Sequence, residues 1–119
     1  MHELSLSEAL LDQIDDVVRA RPHGRDGRVA VRLVRMRVGA LAGLEPELFR
    51  TAFETTRALR GHGAAELELV FEPALWRCRG CGEALAEGAD LRCACGGEAR
   101  LERGGDLVLE RLELEEPDV

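Results

Sequence analysis

Apolar residues recur at helical spacing through Leu6, Leu10, Ile14, Val17 and Val18, with Asp12, Gln13, Asp15 and Asp16 on the other side, which predicts an amphipathic first helix. Ser5-Leu6-Ser7-Glu8 has the form of a capping box, with Ser5 as N-cap and Glu8 reaching back to it. The helix is therefore expected to begin two or three residues after His2 and to stop before Pro22, with Gly24 and Gly27 in the following turn. From Arg28 to Val38 the period changes. Val29, Val31 and Leu33 alternate in one phase, and Val34, Met36 and Val38 in the other. That reads as a strand with a bulge near Leu33-Val34, or one buried on both faces.

A second helix is expected from Leu44-Glu45-Pro46-Glu47, with Pro46 at the first helical position and Leu44 placed to staple against Phe49. Leu48, Phe49, Ala52, Phe53 and Leu59 form its apolar stripe, and Gly61 and Gly63 close it. Ala65, Leu67, Leu69 and Phe71 alternate as a second strand that Pro73 breaks. From Trp76 to Gly105 apolar periodicity disappears and Cys, Gly and Arg dominate. Alternation returns from Asp106 to Glu115, with Val108, Leu112 and Leu114 on one face of a last strand expected to rejoin the first sheet. The predicted class is α+β: two helices packed on a small mixed three-stranded sheet, with an inserted four-cysteine zinc module. The boundaries are an α/β domain over 1–72 plus 106–119 and a metal module over 73–105.

With 119 residues the chain can make one compact domain, or a small domain with a smaller metal-held module. Only 3% of residues are aromatic, so the core must come from Leu, Val and Ala. The net charge of −7 argues against a general binder of nucleic acid or anionic membrane, which needs a basic face. Every cation is Arg, and no apolar run is long enough for a transmembrane helix. The N-terminus lacks the basic flank and apolar core of a secretory signal, which points to the reducing cytoplasm. In such a compartment clustered Cys more often bind metal than form disulfides.

Cys78-Arg79-Gly80-Cys81 is a C-x-x-C knuckle followed by Gly82, and its partner is Cys93-Ala94-Cys95 followed by Gly96 and Gly97. Four thiolates so placed are the usual content of a structural zinc site. The segment has too few apolar residues to hold itself together, so metal binding is expected to fold it. Arg77, Arg79 and Arg92 flank the thiolates and would offset their charge. The second pair is one residue shorter than a usual knuckle, and Gly96 and Gly97 would take up the strain. Two disulfides, or four free thiols, are the alternatives.

Met1-His2-Glu3 offers a different chemistry if Met1 is the mature start. The Met1 amine, the His2 amide nitrogen and the His2 imidazole can chelate one ion in a planar, all-nitrogen arrangement that suits Ni(II) or Cu(II). Glu3 adds an oxygen nearby, and a helix that begins after it is expected to leave Met1 to Glu3 at its mouth, partly ordered and solvent-accessible. The alternative is an exposed His on a frayed terminus. His23 and His62 fall in Gly-containing turns and read as surface residues, Glu47 and Glu54 as solvated helix positions, and the acidic tail after Leu112 as a charged strand end and a frayed terminus.

Met-His-Glu leading into Leu-Ser-Leu-Ser-Glu-Ala-Leu resembles the hydrogenase and urease nickel-insertion accessory proteins, the HypA/HybF family. The resemblance continues through Val38-Gly39-Ala40-Leu41, Glu45-Pro46-Glu47-Leu48-Phe49, Ala52-Phe53-Glu54, Gly63-Ala64-Ala65-Glu66-Leu67-Glu68-Leu69 and the paired Cys motifs. Cys93-Ala94-Cys95 departs from the family's usual C-x-x-C. The resemblance implies a non-enzymatic nickel metallochaperone. Its transient Ni(II) cargo would sit at Met1, His2 and Glu3, with Glu45 in a loop that can approach it. Structural Zn(II) would sit at Cys78, Cys81, Cys93 and Cys95. It further implies delivery to [NiFe]-hydrogenase large subunits with a partner GTPase, and urease accessory proteins as further candidate partners. The competing reading is a zinc-ribbon protein-interaction adaptor without a nickel role. An enzyme is disfavoured, because no nucleophile–base set, phosphate loop or open metal site is visible.

Overall fold

The computed structural model describes residues 2–85 and 91–117, so Met1 lies outside the described residues. The element order is α1 (His2–Arg19), β1 (Ala30–Gly39), α2 (Pro46–Leu59), β2 (Glu66–Glu72), β3 (Leu75–Cys78), β4 (Ala84–Leu85), β5 (Ala99–Arg103) and β6 (Leu107–Glu115). Two three-stranded sheets result, ordered β2-β1-β6 and β4-β3-β5. The first is mixed. Arg35 meets Glu68 and Ala40 meets Glu72, so positions rise together along β1 and β2; Arg32 meets Glu115 and Gly39 meets Asp106, so they run oppositely along β1 and β6. The class is α+β, as the hydrophobic pattern implied. By compactness the chain forms two units, residues 1–36, 44–69 and 109–119 in one and residues 37–43 and 70–108 in the other.

In the first unit, α1 buries Glu3, Ser7, Leu10, Leu11, Ile14 and Val18. That stripe differs from the expected one: Leu6 is only half-buried and Val17 is exposed. The helix also starts at His2, and Ser5 is an exposed residue inside it, not its cap. A capping box is a local signal, and here the turn before it is already paired with other parts of the chain. Ser7 Oγ lies 2.9 Å from Thr56 Oγ1 of α2 in the buried interface. Thr56 also returns its hydroxyl to the Ala52 carbonyl at 2.8 Å, so the two hydroxyls satisfy one another and the backbone inside an apolar contact.

The α2 start follows expectation: Glu45 is the N-cap, in extended conformation, and Pro46 occupies the first turn. Its buried line is Phe49, Phe53 and Thr56, whereas Leu48 and Leu59 point outward at 57% and 83% exposure. Those two leucines lie off the line that 49, 53 and 56 trace along a helix, so membership of the apolar stripe was overextended there. β1 buries Val31, then Val34, Met36 and Val38, which confirms the predicted change of phase. Phe71 of β2, which shares the alternation of Leu67 and Leu69, is 55% exposed.

In the second unit the end of β1 is pinned by backbone bonds. Gly39 N–H donates to Asp106 O, Ala40 N–H to Glu72 O and Leu41 N–H to Gly104 O, at 2.8–2.9 Å. A Cβ on Gly39 would stand 2.3 Å from the Gly104 backbone, so only glycine permits this approach. The Cys-rich stretch also contains three strands that periodicity did not reveal. In β3, Trp76 pairs with Leu101 on one side and Leu85 on the other, a half-buried apolar row across the small sheet. Strands this short hold too few positions to display a period.

Candidate metal centres

The small sheet carries Cys78 at the end of β3, opposite Ala99 of β5. Past it the chain turns, with Cys78 N–H donating to Glu83 O and Gly82 N–H to Cys78 O, which returns Cys81 toward Cys78. The shorter pair makes its own turn, with Gly96 N–H donating to Cys93 O at 2.9 Å and Gly96 at φ 86°. Arg77 joins strand and knuckle by donating to Glu102 at 2.6 Å and to Gly82 O at 3.0 Å. That guanidinium is thus engaged in scaffolding, beyond the charge-offsetting role its position suggested.

The four sulfurs lie within 4.8 Å of one another, with Cys78–Cys95 and Cys81–Cys93 each at 3.4 Å. A tetrahedral ion with Zn–S of about 2.3 Å needs sulfurs about 3.8 Å apart, so the set fits zinc with small adjustments. A second observation agrees: a Cβ on Gly97 would stand 2.4 Å from Cys78 Sγ, so the backbone closes directly over the sulfur cage. The C-x-C spacing therefore does not prevent four thiols from converging. Cys78 is buried, Cys93 half-buried, and Cys81 and Cys95 exposed.

The thiols differ in acidity. The Cys81 and Gly80 N–H groups point at Cys78 and, against its burial, bring it down to about 6. Cys81 receives the Glu83 N–H, yet the neighbouring thiols Cys93, Cys95 and Cys78, with burial, push it up to about 12. Cys95 is likewise raised: the Gly97 N–H favours its thiolate, but Cys78 and Cys93 outweigh it. One thiolate forms readily, and further negative charge in the same cage calls for a cation.

At the other end of the sequence, His2 is exposed at the first position of α1. Its N–H is among those at a helix start that have no intrahelical acceptor, so it is available without breaking the helix. Glu3 was expected to be accessible and is buried, with 8% exposure. Its Oε2 accepts the Glu45 N–H at 3.2 Å, and that bond holds the carboxyl below its ordinary range against the effect of burial. The structure thus brings Glu3 beside the backbone of Glu45. The Glu45 carboxylate itself turns to α2 and accepts the Leu48 N–H at 3.0 Å.

A third cluster escaped sequence reasoning. His62, expected at the surface, is buried, and its Nε2 lies 2.7 Å from Asp15 Oδ1. Arg60 donates to Asp15 at 2.8 Å and to Asp12 at 2.9 Å. Burial alone would raise the Asp15 pKa, but the bonds from His62 and Arg60 lower it. The acidic tail is also tied down: Arg21 grips Glu116 through two bonds of 2.7 and 3.0 Å. His23 sits at φ 63° in its turn, 3.1 Å from Asp26. The only early sign of the Asp15 cluster was acids on one side of α1 and a His after α2, which is too common a pattern to read.

No helix among the described residues is long and apolar enough to cross a membrane. Residues 1–114 match a family model described as hydrogenase/urease nickel incorporation, metallochaperone, hypA. The chain is 33% identical over 120 residues to the hydrogenase maturation factor HypA of Shewanella halifaxensis, covering 98% of this chain and 99% of that one. It is 38% identical over 118 residues to that of Syntrophus aciditrophicus, covering 97% and 98%. Its fold is similar to the solution structure of the Ni metallochaperone HypA from Helicobacter pylori, with a TM-score of 0.67 at 21% identity over 97% of this chain and 98% of that one. With these matches running nearly end to end, the chain belongs to the HypA family of nickel metallochaperones for hydrogenase maturation, a family of metal carriers and not of enzymes.

Proposed function

We propose that this protein binds Ni(II) through its N-terminal Met1-His2-Glu3 segment and delivers it to a [NiFe]-hydrogenase precursor with a partner GTPase. The observation that carries this reading is the exposed His2 imidazole at the very start of α1, in a chain of this family. A carrier must release its cargo, and a solvent-facing site with few ligands suits release better than a closed cage. The Met1 amine, the His2 amide and the imidazole supply nitrogen donors that favour a planar Ni(II) over Zn(II) by geometry. The Glu45 N–H donates to Glu3 at 3.2 Å, and that closeness supports Glu45 as the further acidic residue proposed near the nickel.

Cys78, Cys81, Cys93 and Cys95 would hold a structural Zn(II), which supplies the cross-link that folds the β3–β5 module. The working division is a nickel-binding α/β domain over 1–72 plus 106–119 and a zinc module over 73–105. The hydrogenase large subunit is the proposed recipient, urease accessory proteins are further candidate partners, and the cytoplasm is the proposed location.

The test is a nickel titration of untagged protein with a free Met1 amine, beside His2→Ala and an N-terminally extended form. The wild type is expected to bind one Ni(II) per chain, and both altered forms to lose it. Equal binding by all three would remove the N-terminal site and leave the zinc-module adaptor as the better reading.

A further inference from the structure

Away from both metal centres, positive charge gathers at one place in a chain whose net charge is −7: Arg19, Arg21, Arg25 and Arg28 fall together at the end of α1 and in the turn that follows. The turn folds back onto the helix. Arg21 N–H donates to Val18 O at 3.0 Å, and Gly24 N–H to Arg21 O at 2.9 Å. A Cβ on Gly24 would stand 1.7 Å from Val18 O, so only glycine permits a return this close. Between this turn and the C-terminal end of α2 lies a cavity of about 270 Å³. Arg19, Arg25, Arg60 and His62 line it, and among the described residues Asp15 is its only carboxylate.

Those charges do not cancel. Asp15 is already shared between Arg60 at 2.8 Å and the buried His62 at 2.7 Å. Arg19 also meets Asp16 at 3.3 Å and Arg60 meets Asp12 at 2.9 Å, but neither acid lines the cavity. The Asp16 and Asp12 side chains are 79% and 71% exposed, and pairs so open to water offset little charge. Arg25 has no hydrogen-bond or ion-pair partner among the described residues. Cations are favoured at helix C-termini, which accounts for Arg19 and Arg60. It does not account for Arg25, which lies beyond the end of α1.

The geometry points to this cavity as a binding site for a phosphate group, either the free ion or a small phosphate monoester. Three guanidiniums against one carboxylate leave an excess of two positive charges, and a phosphate carries nearly two negative ones at neutral pH. Its oxygens point in several directions, which suits forks arriving from α1, the turn and α2 better than a planar carboxylate would. A space of this size admits a phosphate group and is too small for a drug-sized molecule. Arg60, His62 and Asp15 form the braced wall, and Arg25 supplies the fork that nothing else has claimed. The site stands apart from the N-terminal nickel reading and does not depend on it.

The experiment follows backbone amide NMR shifts of the zinc-loaded full chain during titration with inorganic phosphate, phenyl phosphate and acetate, at constant ionic strength in chloride. Saturable shifts are expected at the amides of Arg25, Gly27, Gly61 and His62 with both phosphates, and the tighter of the two shows whether the site takes the free ion or an ester. Acetate is expected to bind about tenfold more weakly or worse. Arg25→Ala removes a side chain that the fold does not use, and should weaken phosphate binding about tenfold or more. Arg50→Ala, an equal loss of charge elsewhere on α2, should leave it within about twofold. Shifts that never saturate, or that are unchanged in Arg25→Ala, would overturn the site. Equal weakening by Arg50→Ala would reduce it to a general charge effect. Acetate bound as tightly as phosphate would overturn the phosphate assignment.

Discussion

The α1–α2 region and the cysteine module are written in much the same alphabet of Leu, Gly, Arg and Glu, yet they are held by different forces. In the first, Leu11, Ile14, Val31, Val34, Phe49 and Phe53 are almost wholly removed from water. In the second, among the described residues from 73 to 103, Cys78 alone is buried, and Trp76, Leu85 and Leu101 are only half-covered. A layer of two helices and a sheet has an inside, and a short three-stranded sheet has almost none. The comparison teaches that four sulfurs can stand in for a core where the chain is too short to build one.

The sharpest way to break that comparison is to remove zinc. Structural zinc sites contribute on the order of 10 kcal/mol or more, so a chelator, or Cys78→Ala, should abolish protection of the β3–β5 amides in hydrogen exchange. The helical circular dichroism of α1 and α2 should persist. Loss of both together would show that the module is not separately metal-held.

The converse perturbation is Phe53→Ala. Deleting this fully buried ring should cost about 3–5 kcal/mol in denaturant unfolding of the α1–α2 region. Zinc content per chain should stay that of the wild type. Zinc loss at protein concentrations where the variant is still folded would contradict the separation of forces.

The smallest effect refines the first region alone. Asp15 has a lowered pKa in the folded protein, so its contribution is fully present above its unfolded value of about 3.8 and is lost as pH falls through the lower folded value. Asp15→Asn should therefore reduce stability at neutral pH by about 1 kcal/mol and flatten the acid limb of the stability curve below about pH 4. Wild type and variant curves that stay parallel down to about pH 2 would count against the His62–Asp15–Arg60 clamp.

Much of this arrangement was legible in the residues, for reasons that differ by element. The order of α1, β1, α2, β2 and β6 followed from apolar period, because each of these elements is long enough for its apolar residues to repeat, even where, as in β1, the phase changes. Pro46 placed the start of α2, since proline fits the first turn and few other helical positions. The α1 start was misjudged at Ser5, because the box motif is local while the true first turn is fastened through Glu3 to Glu45 and, one turn later, through Ser7 to Thr56. Strands β3, β4 and β5 stayed hidden because Leu75–Cys78, Ala84–Leu85 and Ala99–Arg103 are too short to show alternation.

By itself the sequence determined the fold class, the pairing of an apolar layer with a four-cysteine module, and the candidate donors. Periodicity and donor spacing are properties of neighbours along the chain, so one dimension suffices to state them. Only the tertiary structure decided that Cys93-Ala94-Cys95 converges with Cys78 and Cys81, that His62 is buried against Asp15, and that the Glu3 and Glu45 carboxylates face backbone amides. Each of those facts joins residues brought together by the fold, and what a donor is free to bind depends on which partner has already claimed it.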